Sequence, residues 1–598
     1  MESRELVLRS EALLRREGSR ILAAAPYAVF LILAVISWNR WIEPFVDSGR
    51  ELMVPWRIAQ GERLYRDVAF YHGPLGPFLA AGADLLAGRS LPARTLLAGL
   101  FALLHVEGLR RLARKLATPG LAALAASLSI ALAAFLKPGG WLFPFSLDAS
   151  IAVAALTWAL ALACGPTSVV ADRGAGLCLA LALLARPELG GAGAVAICLG
   201  ARTQPRRWLG LALWPFCAAG VGYAAVSWGV PIATLVSSGW LAVVEPPPAF
   251  RHVYRVYAGL DQPGLRLAEL ALCAIALLAI GAVLAVGAKA AGPAKPGAAA
   301  AVGVFLVLGA LAAVRLWPPE GLAGTLALWP PLVRAVPPLV LALAGVRVAR
   351  ALARRSTGPL SEVPDAVLLV AALFSLRLLL AAGYAGPYSA YFLPLPALVA
   401  TVAVGRLADR ASSSFGPSLP RLAMVALIVF LIFRLAALTG LYRRVPWNPV
   451  TTPAGIVRLM EPVASTTALA LADLERRLRP GGTLVGFPEG GFFNYVLGQR
   501  TPLREEQFFP DRLDAAAERR VAREIEERPP DAVVLVNVHA VGEGARAFGK
   551  DYLREIGAVV ERRFHIASAF GPGAAPGAAI GDPQFFIEVR VPASETPR

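Results

Sequence analysis

The sequence predicts a polytopic α-helical membrane protein, and three observations support this fold class. Of the 598 residues, 57% are hydrophobic and 17% are charged, whereas a soluble domain carries roughly 25% charged residues. Apolar runs that approach the roughly 20 residues needed to cross a bilayer recur between residues 21 and 441. The Lys and Arg residues behind the net charge of +17 cluster in short loops between these runs, as in cytoplasmic loops. We therefore attribute the charge to membrane orientation and contact with membrane lipids, and we expect no nucleic-acid partner.

The N-terminal region predicts a cytoplasmic tail, a membrane anchor and an external loop. Residues 1–20 contain several arginines and precede the first span, Ile21–Ser37, which places the N-terminus in the cytoplasm. Residues 38–90 follow as the first external loop, with interfacial helices. Its apolar segment Pro74–Ala87 is short and Gly-rich, so we interpret it as interfacial or re-entrant, the alternative being a true crossing. Only the interfacial interpretation delivers the basic cluster Arg110–Lys115 to the cytoplasm, as the positive-inside rule requires.

Further spans complete a transmembrane region at residues 21–441 and bring the total to about thirteen. Because the N-terminus is cytoplasmic, an odd number of spans leaves the chain after residue 441 on the external side. The predicted spans after the first are Leu91–Leu109, Pro119–Leu136, Leu147–Cys164, Gly176–Ala185, a segment returning to the basic loop at 201–207, Trp208–Trp228, Leu267–Val286, Ala298–Leu316, one crossing within Trp317–Val348, Ala366–Tyr384, Tyr391–Val404 and Leu422–Leu441.

The region 449–598 differs in composition and predicts an extracytoplasmic α/β domain. Strand-like and helix-like patterns alternate here, which is typical of small α/β domains. Its length suits one compact unit. The predicted strands are Thr483–Phe487, Ala532–Asn537, Val559–Ile566 and Phe585–Val591, and the predicted helices are the segment LALADLERRLRPGG, Leu513–Glu527 and Gly544–Ile556.

Two acidic residues on the predicted external side are candidates for catalysis, because a carboxylate at the membrane is costly and so is a functional candidate by default. Asp47 lies in the first loop, just before a stretch with helical spacing. Together with Glu51 it also resembles a capping box, so Asp47 caps this helix, acts in catalysis, or does both. Asp148 opens the fourth span, where it is also an acceptable N-cap. Its predicted depth matches that of Asp47, and we expect both carboxylates to face one cleft.

The same external face carries candidates for substrate binding. His72 is suited to bind phosphate or to shuttle a proton, and Arg377 lies deep in a span, where it needs a phosphate or carboxylate partner. Arg186 and Glu188 either pair with each other or bind a ligand headgroup. Carboxylates and cations at the lipid boundary suit a substrate with a lipid tail, a phosphate leaving group and a polar head. The remaining candidates are Glu43, Lys137, Arg251 and Arg255.

Several segments together carry a resemblance to a known family. In the first loop an acidic residue is followed by G..LYRD....HGPL (61–75), Asp148 opens a later span, and ARPE (185–188) follows the fifth span. SAYFLPLPAL (389–398) precedes a late span, and the tail contains GFPEGGFFNYVLGQRTPLR (486–504) followed by FFP. This pattern resembles the GT-C superfamily of membrane glycosyltransferases. Within it, the chain looks like the bacterial group similar to dolichyl-phosphate-mannose-protein mannosyltransferases, which includes aminoarabinose transferases.

The resemblance implies a GT-C-like fold and an enzyme of the bacterial cytoplasmic (inner) membrane. Such an enzyme transfers a hexose or pentose from a polyprenyl-phosphate donor to a glycan, lipid or protein acceptor of the cell envelope. Transfer is usually an inverting displacement, with Asp47 as the expected catalytic residue and Asp148 as the second acidic position. The late motif adds Tyr391 to the substrate-binding candidates. The sequence departs from the family where Ser48, rather than Glu, follows Asp47, and where Ala390 stands at a position that is commonly cationic.

Two other function classes remain open at this point. A flippase or transporter of a lipid-linked saccharide favours inverted repeats and broken helices near mid-membrane, whereas no repeat is evident and the acidic loop lies at the interface. A non-catalytic envelope scaffold whose tail binds a partner is the other class. The sequence requires no cofactor. A divalent metal between phosphate and carboxylate stays open, but no cluster of ligands demands one.

Overall fold

The computed structural model describes most of the chain. The predicted span Ala298–Leu316 lies outside the described residues. The described residues are 2–40, 44–134, 140–142, 146–165, 168–200, 207, 211, 213–239, 248–291, 331–352, 364–381, 388–538, 544–574 and 584–593.

Helices make up most of the described chain before residue 445. They coincide closely with the predicted apolar spans and with two segments of the first loop. The helices are α1 (Glu2–Ser37), α2 (Ser48–Ala59), α3 (Leu75–Ala87), α4 (Leu91–Leu116), α5 (Pro119–Ala133), α6 (Leu147–Ala163), α7 (Val169–Ala185), α8 (Pro187–Gly200), α9 (Trp214–Val226), α10 (Ile232–Gly239), α11 (Pro248–Tyr257), α12 (Pro263–Ala291), α13 (Pro331–Leu352), α14 (Asp365–Leu378), α15 (Tyr388–Phe392), α16 (Pro394–Phe415) and α17 (Leu419–Arg444).

The centre of the helical bundle is α5. Every residue of this helix from Leu121 to Ala133 is buried, as expected for a helix that is apolar on all sides. The helices α1, α4, α16 and α17 pack around it, and α6 packs between α4 and α7. By contrast, the apolar helix α12 is almost entirely exposed, which suits a surface that faces lipid.

Three of the described helices are long and apolar enough to cross a membrane, namely Arg20–Ser37, Pro263–Lys289 and Leu419–Arg444. The total of thirteen spans and the external location of the C-terminal region stay predictions. Helix α3 has 13 residues and is therefore about 20 Å long. A hydrocarbon core is about 30 Å thick, but α9 has the same length as α3, so the interfacial interpretation of the segment Pro74–Ala87 stays a prediction.

The C-terminal region begins with a hairpin and continues as a mixed α/β unit. The hairpin strands pair antiparallel, and the four-stranded sheet has the order β3-β4-β6-β5, in which only β3 and β4 are parallel. Apolar side chains pack on both faces of this sheet. The elements are β1 (Trp447–Thr452), β2 (Gly455–Met460), α18 (Val463–Arg477), β3 (Leu484–Phe487), α19 (Gly491–Leu497), α20 (Ala515–Glu527), β4 (Ala532–Val536), α21 (Arg554–Arg563), β5 (Phe564–Phe570) and β6 (Ile587–Pro592).

Two predicted elements of this region are wrong. The helix expected at Gly544–Ile556 begins only at Arg554, because a preceding loop is closed by Asp551, whose carboxylate accepts two backbone N–H bonds. The strand expected at Val559–Ile566 begins only at Phe564. Val559 and Val560 of the expected strand instead lie on the buried side of α21, where they follow Ile556 at helical spacing. The hairpin β1–β2 was not predicted at all.

Helix α2 belongs to the C-terminal unit by its packing. Leu52, Met53 and Trp56 share one apolar cluster with residues of β3, β4, β6 and α19. Phe45, just before the helix, stacks on Phe493 with ring centroids 5.3 Å apart. The first loop and the C-terminal region therefore form one core, and this shared core fixes the place of Asp47.

Candidate active site

Asp47 lies at the junction between the first loop and α2. Its φ is 62°, in the left-handed region that Asp tolerates better than most residues. The residue occupies the N-cap position of α2, but its side chain makes no capping hydrogen bond. The carboxylate of Glu51 also turns to other partners, so the expected capping box does not form.

The cap of α2 comes instead from Glu489, in the turn between β3 and α19. One oxygen of Glu489 accepts the backbone N–H of Asp47 at 2.8 Å, and the other accepts the backbone N–H of Arg50 at 2.8 Å. Glu489 is buried, with 1% of its surface exposed. Burial raises the pKa of Glu489 to about 8; the Asp47 carboxylate adds to this shift, whereas the Arg50 guanidinium opposes it.

Gln507 and Arg50 complete the network around Asp47. The Gln507 amide donates to Asp47 Oδ1 at 2.7 Å and to Glu489 at 2.8 Å, and its oxygen accepts from Arg50 at 2.8 Å. Arg50 also lies 3.2 Å from Asp47 Oδ1. Among the described residues, Asp47 Oδ2 has no hydrogen-bond partner. The Asp47 side chain keeps 14% of its surface exposed, which leaves this oxygen available to a reactant.

Glu51 connects this junction to the start of α6. Its carboxylate accepts from the Arg50 guanidinium at 3.1 Å and from the backbone N–H of Leu147 at 3.1 Å. Burial raises the pKa of Glu51, a shift that Arg50, Leu147 and Arg186 oppose. Arg50 thus lies between the carboxylates of Asp47 and Glu51 and offsets the repulsion of two acids that lie close together.

Asp148 opens α6, as expected, but it does not cap the helix. The N-cap of α6 is Ser146, whose hydroxyl accepts the Ala149 N–H, so the alternative role of Asp148 as a cap is excluded. Asp148 lies in the first turn, fully buried, and its Oδ1 accepts the Gly76 N–H at 2.8 Å. Its Oδ2 has no partner among the residues that the structure describes. Glu51 and Arg50 both lie within electrostatic range of Asp148, and Arg50 also contacts Asp47.

Arg186 lies between α7 and α8 and faces the start of α6. Its guanidinium donates to the Ser146 hydroxyl at 2.9 Å and lies 3.4 Å from the Glu188 carboxylate. Pairing with Glu188, one of the two expected alternatives, is therefore present, although the distance is long for an ion pair. The Arg186 Nε atom is buried, with no partner in the described part of the chain.

His72 is enclosed by cations. Burial lowers the pKa of His72 well below its usual value, and the guanidinium groups of Arg186, Arg50 and Arg512 lower it further. The imidazole is therefore neutral at physiological pH. It is able to exchange a hydrogen bond with a ligand, but it brings no charge to a phosphate.

Helix α11 covers this region with an aromatic face. Phe250, Tyr254 and Tyr257 recur at helical spacing, and the Tyr254 ring lies 3.8 Å from the Arg377 guanidinium. Tyr388, on the other side, lies 4.8 Å from the same guanidinium and within electrostatic range of Asp47. Arg377 is thus held by cation–π contacts, and the phosphate or carboxylate partner expected for it does not occur among the residues that the structure describes.

The other predicted binding residues fall into three groups. Arg251 and Arg255 are exposed on a different face of α11. Tyr391 is buried, and its hydroxyl accepts the Ser146 N–H at 3.1 Å, so it supports the start of α6. The candidates Glu43 and Lys137 lie outside the described residues.

Sequence reasoning missed four residues of this site: Arg50, Glu489, Gln507 and Arg512. The Arg512 guanidinium lies 3.8 Å from the Phe250 ring and 5.1 Å from the Tyr71 ring. Its neighbour Asp511 accepts the Ala249 N–H at 2.9 Å, which docks α11 on the C-terminal region. Glu489 was visible within the Gly-rich segment at 486–491, but nothing local indicates its partner.

The described residues hold no ready-made metal cluster. No group of three or more His, Cys, Asp or Glu side chains suited to a metal occurs in the described ranges. Both oxygens of Glu489 accept hydrogen bonds, and Arg50 lies between Asp47 and Glu51. We derive no step through a metal, and a divalent cation between phosphate and carboxylate stays open.

The mostly helical bundle, with an α/β unit packed on α2 of the first loop, has the GT-C fold, which it shares with a solved structure. The chain is similar to the Archaeoglobus fulgidus oligosaccharyltransferase crystallised with a tethered acceptor peptide. The TM-score is 0.50 at 13% identity, covering 92% of this chain and 73% of that one. It is also similar to ArnT from Cupriavidus metallidurans bound to undecaprenyl phosphate, with a TM-score of 0.43 at 12% identity, covering 97% and 99%. No family model matches the chain, and no curated protein matches it in sequence.

Proposed function

We propose that this protein is a membrane glycosyltransferase that transfers a sugar from a polyprenyl-phosphate donor to an acceptor on the extracytoplasmic side. The GT-C fold supports the general class. The observation that carries the proposal is the state of Asp47: its helix is capped by another residue, and one carboxylate oxygen is accessible and unpartnered among the described residues.

In the proposed reaction, Asp47 is the general base. The acceptor hydroxyl attacks the anomeric carbon of the donor sugar, and Asp47 takes the hydroxyl proton. A carbon–oxygen bond forms to the acceptor while the bond from the anomeric carbon to the phosphate oxygen breaks. The electron pair leaves with the polyprenyl phosphate. One displacement inverts the anomeric configuration and needs no covalent intermediate.

The cations around Asp47 are suited to the phosphate. Arg186 and Arg512 both lie within electrostatic range of His72. Arg377 and Arg186 both lie within electrostatic range of Tyr388. These three arginines therefore surround one region. Guanidinium groups bind phosphate oxygens with directed hydrogen bonds. As the donor breaks, charge develops on the leaving phosphate, and these cations stabilise it.

The test is envelope glycan profiling by mass spectrometry in wild type, a deletion strain and an Asp47→Asn strain at matched protein level. Asn also tolerates the left-handed backbone and keeps the side-chain shape. The proposal expects the deletion and Asp47→Asn to lose the same sugar modification, whose mass then identifies the sugar. Loss in the deletion with retention in Asp47→Asn would refute the assigned base and favour a flippase of lipid-linked saccharide.

A further inference from the structure

We propose that Glu489 is a positioning residue that keeps Asp47 available for catalysis by capping α2 in its place. The inference rests on the proposed function and adds a role for the C-terminal region. It concerns a residue that touches no reacting atom and acts only through the backbone and side chain of Asp47.

The first step concerns the needs of a helix N-terminus. The first N–H groups of a helix lack partners within the helix, and Asp at the N-cap position normally accepts one of them with its own carboxylate. Asp47 occupies that position without making the bond. If Asp47 did cap α2, its carboxylate would turn toward the helix and away from a reactant.

The second step is the geometry of Glu489. In a capping box two side chains of one helix satisfy the N–H groups at the N-cap and N3 positions. Here a single carboxylate from the C-terminal region accepts both, the N–H of Asp47 and that of Arg50, each at 2.8 Å. Glu489 therefore already makes the two hydrogen bonds that would otherwise turn the Asp47 and Glu51 side chains toward the start of the helix.

The third step is the close approach that this geometry demands. A Cβ atom at Gly49 would lie 2.8 Å from the Phe492 nitrogen and 3.0 Å from Glu489 Oε1. A Cβ at Gly491 would lie 2.8 Å from the Gly49 oxygen. Glycine on both sides therefore lets the first turn of α2 contact the turn that carries Glu489.

The fourth step is the orientation of Asp47 itself. Gln507 donates to Asp47 Oδ1 and to Glu489 with the same amide group, so the Glu489 carboxylate helps to fix the amide that holds Asp47. Glu489→Gln replaces one accepting oxygen with an NH2 group, which cannot accept the N–H groups held there and disturbs this amide at the same time. The expected consequence is a misplaced base with an intact binding site, and such misplacement lowers turnover more than affinity.

The matched control is Glu506, which joins the same two regions at the other end of α2. Its carboxylate lies 2.6 Å from the Arg57 guanidinium, and both side chains are about equally buried. Glu506→Gln therefore breaks a buried contact between α2 and the C-terminal region without touching Asp47. It separates a positioning role from a general loss of docking.

The experiment compares Glu489→Gln, Glu506→Gln, Asp47→Asn and wild type as full-length protein. Turnover is read from the envelope glycan profile, and binding is read with undecaprenyl phosphate as the probe by native mass spectrometry. We expect Glu489→Gln to lower turnover about tenfold or more with binding within about twofold. For Glu506→Gln we expect turnover within about threefold of wild type.

Residue-resolved hydrogen exchange gives a second readout. In Glu489→Gln the amides of Asp47 and Arg50 should exchange about tenfold faster or more, whereas Glu506→Gln should affect only the C-terminal turn of α2. If Glu489→Gln does not accumulate, Gly49→Ala, which pushes the two turns apart, should produce the same exchange pattern.

Equal turnover losses in Glu489→Gln and Glu506→Gln, or unchanged exchange at Asp47 and Arg50, would overturn the positioning role. These outcomes leave the proposed function intact as long as Asp47→Asn is inactive. Retained activity in Asp47→Asn would overturn the assigned base instead, so the two failures are distinguishable.

Discussion

The two acids predicted as a catalytic pair, Asp47 and Asp148, have environments of different kinds. Asp47 lies at a loop–helix junction with 14% of its side chain exposed, and the network that holds it uses only Oδ1. Asp148 lies inside the first turn of α6, fully buried, with Oδ1 bound to the Gly76 N–H. The same residue type near the start of a helix thus has two different surroundings.

Under the proposed function, this difference assigns different roles to the two carboxylates. A general base must come within hydrogen-bond reach of the proton that it takes, and only Asp47 is accessible from outside. Asp148 joins α3 to α6 and so fixes the interfacial helix against the bundle. Its unpartnered Oδ2 is a buried acceptor that costs stability unless a ligand or water reaches it.

The most direct test of this difference is to replace each of the two acids with neutral Asn. Asp47→Asn should lower turnover about 100-fold or more, the usual loss on removing a general base. Asp148→Asn keeps an oxygen for the Gly76 N–H and should lower turnover about tenfold at most. The measurement is quantitative glycan profiling at matched protein level. Equal losses in the two variants would contradict the division of roles.

The Asp148 side of the comparison can also be tested through its partner. A Cβ at Gly76 would lie 2.4 Å from Asp148 Oδ1, so Gly76→Ala should destabilise the protein by about 2 kcal/mol. Gly82 lies in the same helix with nothing within 4 Å of an added Cβ, so Gly82→Ala should be neutral or stabilising by about 0.5 kcal/mol. Thermal unfolding of the purified protein in detergent measures both changes. A neutral Gly76→Ala would show that α3 is free to move relative to α6.

The cations next to Asp47 give a smaller expected effect. Arg377→Met removes a guanidinium held between Tyr254 and Tyr388, and undecaprenyl phosphate should bind about tenfold more weakly. Arg255→Gln removes an exposed cation of the covering helix, and the expected change is about twofold because water screens it. Native mass spectrometry measures lipid binding by the two variants. A larger loss of binding in Arg255→Gln than in Arg377→Met would place the phosphate site at the outer face of α11.

The smallest expected effect concerns His72 and pH. Because its pKa is well below the usual value in the folded protein, the unfolded chain binds one more proton when the pH falls below about 6.5. The free energy of unfolding should therefore fall with decreasing pH in this range. His72→Gln should reduce this slope while leaving stability at pH 8 nearly unchanged. An identical slope in the variant would show that His72 takes up its proton without unfolding.

Local patterns predicted the helices well and the site only in part. Apolar runs are visible in the sequence itself, so the bounds of α5 and α6 lie within a few residues of the predicted spans. Asp47 and Arg377 became candidates because each is a polar group in an unusual local setting, although Arg377 lies in the last turn of α14 and not deep in a span. The pairing of Asp47 with Glu51 followed the local rule for a helix start, and it failed because folding brings Glu489 to the same N–H groups. No sequence window contains both partners, so a cap of this kind is invisible before the tertiary structure is known.

The shared core of α2 and the C-terminal unit has a consequence for biosynthesis. Residues 44–59 are made early, yet their apolar partners and their cap come from residues 484–507. During translation the first loop therefore remains without these packing partners while the whole helical bundle is made. A chain that stops before residue 484 lacks Glu489 and Gln507 around Asp47, so under the proposed function we expect truncated products not to consume the lipid-linked donor.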